Sequence, residues 1–407
     1  MSLRYRYRLY PNRPQRKALA RAFGCTRQVY NDAVAARRDA YRNGAKYPSS
    51  YALRRRLITE AKRTPERAFL AEVSNIVLQQ AVRDCDAAYS RFFEAAKGEN
   101  RGFVGTPRFK SRKDNRQAIR LTRKGFRIRA NDKLYLAKIG NVKVAWSRDL
   151  PSPPSSVTII RDRAGRYFAS FVVKAGDETW PTQTNADGSE AETALDLGLH
   201  HFAVDQDGEA IDNPRCLRPA EKRLKKAHRA VSRKQRGSNN RAKARRRLAR
   251  AHARVADARA DFLHQQTSRL VRENQAIYIE DLAVQGLSRG RNAKSVNDAA
   301  WGKFRRLLEE KGRRRGRTVV AVEQSEPTTQ LCSSCGAQTG PKGLDGLDIR
   351  QWCCDACGAV HDRDKNTAIN ILALGRRERL NACGADVSPP PAVAVGDEAG
   401  THRPVSA

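Results

Sequence analysis

Residues 351–371 read QWCCDACGAVHDRDKNTAINI, and this stretch sets the fold of the carboxyl-terminal part of the chain. Cys354 and Cys357 have the spacing of a metal-binding turn, because two intervening residues let both thiolates reach one ion. Asp362 and Asp364 follow a few positions later. Behind them, apolar side chains recur at helical spacing, which predicts a helix that starts at the acids. The stretch therefore predicts a metal-binding turn, a carboxylate pair and a packed helix in direct succession.

A matching pair of cysteines lies upstream of this stretch. Cys332 and Cys335 have the same spacing, and 18 residues separate the two pairs. Four thiolates complete a tetrahedron and leave no open coordination position, so the four cysteines predict a structural zinc site. A glycine follows each pair, where a tight turn favours a residue without Cβ. Cys353 is out of register with both pairs, and we expect it to take no part in metal binding.

The other cysteines stand alone in the sequence. Their spacing is unlike a disulfide framework and suits a reducing cytoplasm, so we expect them to be small core side chains. The first residues lack the apolar segment of a signal peptide, and no run of about 18 apolar residues could span a membrane. We therefore predict a cytoplasmic protein with no membrane partner. The lone cysteines are Cys25, Cys85, Cys216 and Cys383.

The net charge is strongly positive. The 407 residues include 79 Lys or Arg against 43 Asp or Glu, a formal charge of +36. This excess is larger than solubility requires, and nucleic acid is the polyanion best able to neutralise it. Residues 221–260, a predicted helical hairpin, hold sixteen Lys or Arg against two acids. We predict nucleic-acid contacts at Lys225, Lys226, Arg229, Lys243, Arg246, Arg247, Arg250, Arg108 and Lys110.

Aromatic residues lie among the basic ones in the amino-terminal half. Such side chains can pack in a core or stack on nucleic-acid bases, and the sequence leaves both uses open. The residues concerned are Tyr5, Tyr7, Tyr10, Phe109, Phe126 and Tyr135.

The pattern of elements divides the chain into segments. A first strand and several short alternating stretches predict a small β-barrel, and the helical pattern between them predicts an insertion. A polar stretch then predicts a linker, and a tail rich in Pro, Gly and Ala predicts disorder. The predicted ranges are 1–11 and 105–176 for the barrel, 12–104 for the helical insertion, 177–192 for the linker and 384–407 for the tail.

Three acids stand at the ends of predicted elements. Asp196 ends the strand TALD, Glu280 ends the strand AIYIE, and Asp364 opens the carboxyl-terminal helix. An isolated acid in such a place is usually a turn former or a cap, but three acids that converge repel one another unless hard cations bind. Two Mg²⁺ ions held in this way can activate water and stabilise the leaving oxygen in phosphodiester cleavage. The three acids are therefore the candidate catalytic residues and magnesium ligands.

The motifs around these acids resemble a known family. Their order and length are similar to those of TnpB proteins, the OrfB family of insertion sequences, which is related to type V CRISPR effectors. The resemblance extends over nearly the whole chain, to about Cys383. The motifs are RLYPNRPQ (8–15), GTPRFK (105–110), LDLGLHHFAV (195–204), IYIEDL (277–282), VNDAAWGKF (296–304) and HDRDKNTAINIL (361–372).

The resemblance implies an α+β multidomain fold. An RNase H-like (RuvC) nuclease domain would carry an inserted four-cysteine zinc ribbon, and a β-barrel wedge domain would carry an inserted helical recognition domain. The family's acids map onto Asp196, Glu280 and Asp364. Asp362 is a rival for the third position, but Asp364 directly precedes the x-Asn pair of the family motif, and Asp362 would then cap the helix. The implied ranges are 193–331 and 359–383 for the nuclease domain and 332–358 for the ribbon.

The resemblance also implies partners and an activity. TnpB proteins bind a noncoding RNA from the transposon end, and its guide segment pairs with target double-stranded DNA beside a short transposon-adjacent motif. The implied function is Mg²⁺-dependent, RNA-guided DNA cleavage that supports transposon maintenance. One alternative is a non-cleaving, RNA-guided repressor of the same lineage, although such relatives have lost acids. The other is a zinc-ribbon RNA-binding protein without catalysis, which metal-dependent cleavage sensitive to Glu280→Gln would exclude.

Overall fold

The computed structural model describes residues 2–98, 104–111, 114, 117–174, 176, 179–323, 326–342 and 345–382. The chain divides into two compact units. The first holds Met1–Glu178 and Ala220–Ala256, and the second holds Thr179–Pro219 and Asp257–Ala407. The predicted disordered tail and Cys383 lie outside the described residues. Among the described residues, no helix combines the length and apolar character that a membrane span requires.

An antiparallel sheet of seven strands forms one side of the first unit. Alternation in the first strand places Leu3, Tyr7 and Leu9 in the core and leaves arginines between them on the other face. The order is β2-β6-β7-β1-β5-β4-β3, so the first strand joins the later ones as predicted. Closure of this sheet into a barrel stays a prediction. The strands are β1 (Ser2–Tyr10), β2 (Gln117–Thr122), β3 (Phe126–Ile128), β4 (Lys133–Leu136), β5 (Gly140–Ala145), β6 (Ser156–Arg161) and β7 (Tyr167–Lys174).

Helices follow β1 and share a hydrophobic core with the sheet. Asn12 begins the first helix with a reciprocal cap, because its side chain accepts from the Gln15 N–H and the Gln15 side chain accepts from the Asn12 N–H, each at 3.0 Å. The helices are α1 (Arg13–Arg42), α2 (Ser50–Arg54) and α3 (Asn75–Ala96). A π-helical turn (Arg55–Glu60) and two 3₁₀ turns (Ala61–Arg63 and Pro65–Glu72) join α2 to α3, and a third 3₁₀ turn (Arg123–Gly125) joins β2 to β3.

Two lone cysteines lie in this core, as predicted for small apolar side chains. Cys25 and Cys85 are buried, whereas Cys216 in the second unit is half-buried. Cys85 contacts a buried arginine, since the guanidinium of Arg37 lies 3.3 Å from its Sγ and also pairs with Asp86. Burial raises the pKa of the Cys85 thiol, which keeps it protonated in the core.

Most of the basic helical hairpin belongs to the first unit, and residues 257–273 at its carboxyl-terminal end belong to the second. It consists of α4 (Glu221–Ser232) and α5 (Asn239–Glu273), which are separated by residues 233–238. Leu224, Ala244 and Val255 are buried, while the basic side chains around them are mostly exposed. Small buried residues on one face and Arg or Lys on the other give the hairpin one packed side and one strongly cationic side.

A mixed sheet of five strands organises the second unit. Three antiparallel strands come first in the chain, and two further strands run parallel to the first of them, which gives the order β10-β9-β8-β11-β12. The strands are β8 (Glu192–Asp196), β9 (His201–Asp205), β10 (Ala210–Asp212), β11 (Ala276–Glu280) and β12 (Thr318–Val322). Nearly every residue of β11 is buried, as expected for a parallel strand that is covered on both faces.

Helices cover both faces of this sheet. Successive residues of β11 point to opposite faces, and Ile277 and Ile279 pack in one core cluster with Phe304, whereas Tyr278 packs in another with Ile371. The helices are α6 (Val284–Leu287), α7 (Ala293–Ala299), α8 (Trp301–Arg315) and α9 (Arg363–Ala382), with a short 3₁₀ turn at Asp345–Asp348. The remaining strands, β13 (Gln351–Cys353) and β14 (Val360–Asp362), form a separate hairpin directly before α9.

The described residues of the predicted linker are bound to the second unit. The guanidinium of Arg315 lies 4.1 Å from the ring centroid of Trp180. Arg317, which is buried, donates to the carbonyl of Pro181 at 2.9 Å and to Oε1 of Gln275 at 2.7 Å. This polar stretch is therefore anchored by one buried arginine that its own composition could not reveal.

We expect Gly375→Ala to destabilise the second unit. A Cβ at Gly375 would lie 2.7 Å from Cγ and 3.1 Å from Cβ of Tyr278, which are inner atoms that cannot swing away. Overpacking of this kind costs about 1–3 kcal/mol, so thermal unfolding should begin at lower temperature. Gly302→Ala is the matched control, because a Cβ there meets nothing within 4 Å on another helix of the same unit. Equal melting temperatures for the two variants would contradict the close approach of α9 to β11.

Candidate functional site

Two of the three predicted acids lie side by side at one edge of the five-stranded sheet. The parallel strands β8 and β11 pair with Leu195 opposite Ile279. Asp196 and Glu280 each follow directly in these strands, so both acids stand at the carboxyl ends of neighbouring strands. Parallel strands bring residues at equivalent ends to the same edge, which is where α/β sheets commonly bind ligands.

The third acid comes from the start of α9. Asp364 is the second residue of that helix and is half-buried. Asp362 directly precedes the helix, and its Oδ1 accepts a hydrogen bond from the Lys365 N–H at 3.0 Å. This is the geometry of an N-cap. The structure thus gives Asp362 the capping role and leaves Asp364 as the acid that interacts with the strand ends.

The electrostatics of Asp196 show that it interacts with each of the other two acids. Burial, then repulsion from Asp364, then repulsion from Glu280 together raise the pKa of Asp196 to about 8. Burial also raises the pKa of Glu280, against the opposing effect of the Thr328 hydroxyl, which lies 3.3 Å from its Oε1. A carboxyl group that holds its proton near neutral pH, as Asp196 does, is poorly compensated by the surrounding protein.

Two arginines supply part of the missing positive charge, because Arg363 and then Arg350 lower the pKa of Asp196. Arg350 Nη1 also lies 3.2 Å and 3.1 Å from the two carboxylate oxygens of Asp364. Among the described residues, the four cysteines discussed below are the group already close enough together to hold a metal ion. The amino-terminal end of α9 adds a partial positive charge near Asp364.

These residues fit hard divalent cations. Three carboxylates on two strands and a helix provide oxygen ligands of the type that Mg²⁺ prefers. Burial is the largest cause of the raised pKa of Asp196, and repulsion from Asp364 and Glu280 adds to it; a divalent cation would relieve that repulsion. The donor set and its charge therefore suit magnesium, which would be held by Asp196, Glu280 and Asp364.

We expect Asp196→Asn to stabilise the protein at high pH when no divalent cation is added. Folded Asp196 keeps its proton to about pH 8, whereas an unfolded aspartate loses its proton near pH 4, so wild-type stability falls as the pH rises between these values. The amide avoids this loss. We expect a gain of at least about 1 kcal/mol at pH 8.5, or about 2–4 °C in melting temperature, and little change at pH 5.

The control for this prediction is another acid of the same sheet. The side chain of Asp212 is 97% exposed, so Asp212→Asn should change the melting temperature little at either pH. The measurement is the melting temperature of zinc-loaded wild type, Asp196→Asn and Asp212→Asn, each at pH 5 and at pH 8.5. A melting temperature for Asp196→Asn that matches wild type at pH 8.5 would contradict the repulsion described above.

The four predicted zinc cysteines converge on one point. The sulfur atoms of Cys332, Cys335, Cys354 and Cys357 all lie within 4.8 Å of one another. Cys332 and Cys357 are separated by 3.7 Å between Sγ atoms, and so are Cys335 and Cys354. Zinc–sulfur bonds of about 2.3 Å in a tetrahedron require nearly this separation. The group therefore fits a four-coordinate zinc ion, and exposed Cys353 is not part of it.

The two cysteine turns have the same backbone structure. The Gly336 N–H donates to the Cys332 carbonyl and the Gly358 N–H donates to the Cys354 carbonyl, each at 2.8 Å. Both glycines have positive φ, +77° and +72°, which explains why a residue without Cβ ends each turn. The Thr339 hydroxyl lies 3.2 Å from the Cys354 sulfur and, with backbone N–H groups of the turn, lowers the pKa of that thiol to about 6, whereas hydrogen bonds from neighbouring thiols raise the pKa of Cys357.

Sequence reasoning missed the polar side chains that join the cysteine group to α9. Asn366 and Asn370 are buried on the packed side of the helix, and Thr328 is buried just before the first cysteine turn. The amides donate to backbone carbonyls of residues 328–331 at 2.8 Å. Two asparagines four positions apart on an otherwise apolar helix face were the available signal, because buried amides need hydrogen-bond partners.

All of the predicted nucleic-acid residues are exposed. All seven on the hairpin are exposed, although Lys225 also pairs with Glu221 at 3.3 Å, and Arg108 is exposed as well. Lys110 is exposed too, but its ammonium lies 3.8 Å from the ring centroid of Tyr30, where desolvation lowers its pKa. The hairpin therefore presents its charges to solvent, while the ammonium of Lys110 is directed at a tyrosine ring.

The aromatic residues divide between the core and the surface, and base stacking by the exposed ones stays a prediction. Tyr7 and Phe126 are 2% and 8% exposed and belong to the core of the first unit. Tyr10 and Phe109 are 55% and 51% exposed. The guanidinium of Arg38 lies 4.7 Å from the ring centroid of Phe109, so this ring combines a cationic neighbour with an open surface.

Three family profiles match successive parts of the chain. A profile described as "Probable transposase" matches residues 170–291, and one described as "Cas12f1-like, TNB domain" matches residues 301–371. A profile described as "Helix-turn-helix domain" matches residues 1–46, where the structure has β1 and the single helix α1 of 30 residues. The second match covers both cysteine pairs and the start of α9.

Whole-length relatives agree with these profiles. A Streptomyces pristinaespiralis protein named "Putative RNA-guided DNA endonuclease" is 43% identical, over 95% of this chain and 92% of the relative. An Escherichia coli K12 protein named "Putative RNA-guided DNA endonuclease InsQ" is 29% identical, over 93% of each. The fold is similar to that of the protein in a Cas12f1–sgRNA–target DNA complex, with a TM-score of 0.52 at 10% identity over 87% of this chain and 82% of that one. The chain therefore belongs to the TnpB family, the OrfB proteins of IS605-type insertion sequences.

Proposed function

We propose that this protein is an RNA-guided DNA endonuclease that cleaves target DNA by two-metal-ion phosphodiester hydrolysis at Asp196, Glu280 and Asp364. The observation that carries the proposal is the placement of Asp196 and Glu280 at the ends of paired strands, with Asp364 at the start of α9 close enough to repel Asp196; burial and this repulsion together raise the pKa of Asp196 to about 8. A protein without metal chemistry gains nothing from such an arrangement, since it costs stability at neutral pH. We infer that the five-stranded sheet with its helices is the RNase H-like (RuvC) nuclease domain, which the family relationship supports.

The chain's own residues fix the geometry of the proposed site. Asp196 and Glu280 stand on paired strands, so their backbones are held rigidly, and the Thr328 hydroxyl fixes one oxygen of Glu280. Arg350 orients the carboxylate of Asp364, because its Nη1 contacts both carboxylate oxygens. Bound at these acids, Mg²⁺ would activate a water molecule and stabilise the leaving oxygen. The four cysteines would hold a structural zinc ion in the ribbon.

The proposed partners are a noncoding guide RNA from the transposon end and target double-stranded DNA. Two relatives are named as putative RNA-guided DNA endonucleases. The solved structure with a similar fold is a complex of Cas12f1 with guide RNA and target DNA. The net charge of +36 and the exposed cationic side of the hairpin suit such partners. We propose that the protein acts in the bacterial cytoplasm, at the nucleoid when bound to DNA, and that cutting supports maintenance of the transposon.

The experiment that tests the proposal uses protein purified with RNA from its native locus. The guide segment is reprogrammed, Mg²⁺ is added, and a plasmid library with random sequence beside the target is the substrate. We expect cleavage only where guide and target match and only beside one short flanking motif. Glu280→Gln is the matched control, since it preserves the shape of the side chain and removes its charge.

The outcomes separate the proposal from its alternatives. Guide-dependent DNA binding without cleavage would support the repressor. RNA binding without guide-dependent DNA binding would support a zinc-ribbon RNA-binding protein. Cleavage that Glu280→Gln leaves intact would place the chemistry elsewhere in the molecule.

A further inference from the structure

Buried hydrogen bonds connect the four-cysteine group to the acids of the proposed nuclease site. We infer that zinc binding positions the catalytic acids through these bonds, and that Thr328, Asn366 and Asn370 are positioning residues for the divalent cations. The inference rests on the proposed function, because it concerns how the same acids are held. It predicts that zinc and the catalytic cations bind cooperatively.

The first connection runs from a zinc cysteine to the segment before Asp364. His361 Nε2 lies 3.0 Å from the sulfur of Cys332, and both residues are buried. The imidazole also packs on Trp352, with ring centroids 4.8 Å apart, and these two residues pair in the β13–β14 hairpin. An imidazole N–H that donates to a thiolate fixes the ring, and Asp364 follows only three residues later.

The second connection joins the first cysteine turn to α9. Asn366 Oδ1 accepts from the Ser333 N–H at 2.9 Å, and Ser333 lies inside the turn between Cys332 and Cys335. The same side chain donates through Nδ2 to the Leu331 carbonyl at 2.8 Å. One amide two residues after Asp364 thus binds the backbone on both sides of Cys332. The turn cannot move without moving this amide or breaking its bonds.

The third connection reaches Glu280. Asn370 Nδ2 donates to the carbonyls of Thr328 and Leu331, each at 2.8 Å. The backbone of Thr328 is thereby fixed against α9, and its hydroxyl lies 3.3 Å from Oε1 of Glu280. One residue therefore links the helix that carries Asp364 to the strand that carries Glu280.

Burial makes these connections expensive to break. Thr328 is 2% exposed, Asn366 1% and Asn370 8%, so water cannot readily replace a lost partner. A buried donor or acceptor left without a partner costs about 1–3 kcal/mol. When zinc holds Cys332 in place, the connected residues keep one arrangement. Without zinc, the turn loses its main constraint, and Asp364 and Glu280 lose the fixed separation that a shared cation requires.

The consequence is a reciprocal linkage between two metal sites. If zinc strengthens divalent-cation binding at the acids by some factor, the cation must strengthen zinc binding by the same factor. Residues that orient metal ligands typically change metal affinity by about 10–100-fold when they are removed. We therefore expect about a tenfold loss of cation affinity when one of these connections is cut.

The test measures Mn²⁺ binding to the full-length, zinc-loaded protein by electron paramagnetic resonance, with no RNA, DNA or cleavage assay. Thr328→Val removes the hydroxyl with little change in shape, and Asn370→Ala removes the amide. Thr367→Val is the matched control, because Thr367 is equally buried on α9 but its hydroxyl donates only within the helix, to the Arg363 carbonyl at 2.8 Å. We expect Mn²⁺ to bind about tenfold more weakly to the first two variants and normally to the control.

A second measurement uses wild-type protein alone, so it does not depend on how variants fold. Hydrogen exchange is compared before and after zinc removal, with the chelator washed out. We expect lost protection in residues 328–336 and also at the start of α9 and the end of β11. Exchange changes confined to the cysteine turns overturn the inference.

The outcomes distinguish the inference from the proposed function. If Mn²⁺ binding needs Asp196 but Thr328→Val and Asn370→Ala bind like Thr367→Val, the inference fails and the proposed function stands. If Asp196→Ala binds Mn²⁺ as wild type does, the proposed function fails, and the exchange comparison still decides whether zinc orders the acids.

Discussion

Asp196→Ala is expected to abolish guide-directed DNA cleavage and to leave RNA binding close to normal. The side chain ends a rigid strand beside Glu280, and it is the acid whose pKa responds to both of the others. Metal ions in such sites contribute several kcal/mol to transition-state stabilisation, so loss of one ligand should slow cleavage at least about 10³-fold. The measurement is a single-turnover cleavage rate with matched guide and target, together with a filter-binding affinity for the RNA.

The control for this variant is an exposed acid of the same sheet. Asp212 ends β10 with its side chain 97% exposed, so Asp212→Ala should cleave at the wild-type rate. Loss of RNA affinity together with cleavage in Asp196→Ala would show that the residue supports folding rather than catalysis. Undiminished cleavage would remove Asp196 from the proposed site.

Neutralising the hairpin is expected to weaken RNA binding strongly and to reduce its salt dependence. Lys243, Arg246, Arg247 and Arg250 lie on one stretch of α5 with exposed side chains. Each phosphate contact on a single strand contributes about 0.7 to the slope of log affinity against log salt, so changing all four to glutamine should lower the slope by about 3. Affinity near 0.15 M salt should fall by about two orders of magnitude or more.

A charge-preserving variant tests the cause of this loss. Arg246→Lys, Arg247→Lys and Arg250→Lys combined keep the charge of the hairpin but not the planar guanidinium. If phosphate neutralisation explains the contacts, this variant keeps nearly the wild-type salt slope. A glutamine variant with an unchanged slope would show that the exposed charges of α5 do not meet the nucleic acid.

The sequence predicted those features that depend on local pattern. Alternating residues predicted the strands from β1 to β7, and helical spacing behind Asp362 and Asp364 predicted the helix α9. The cysteine spacing predicted a group that the structure brings together. Acids at strand ends predicted a shared edge, because the carboxyl ends of parallel strands meet there. Each of these inferences needs only neighbours along the chain or one rule of sheet geometry.

Features that depend on distant residues could not be predicted in the same way. Gly375 is small because it crosses Tyr278, nearly a hundred positions earlier in the chain, and Arg317 is buried because it binds the carbonyl of Pro181. Nor does the local sequence of Asn370 reveal that its amide holds the backbone of Thr328. Such pairings arise when elements pack, so no local pattern records them.

The most direct test of the central claim is to locate divalent cations in crystals of the full-length, zinc-loaded protein soaked with Mn²⁺. Anomalous scattering at the manganese edge would reveal where the ions bind, and the zinc edge would mark the four cysteines. We expect manganese between Asp196, Glu280 and Asp364, with Arg350 displaced from the carboxylate of Asp364. Zinc at the cysteines with no manganese at the three acids, at concentrations that saturate other magnesium nucleases, would contradict the account.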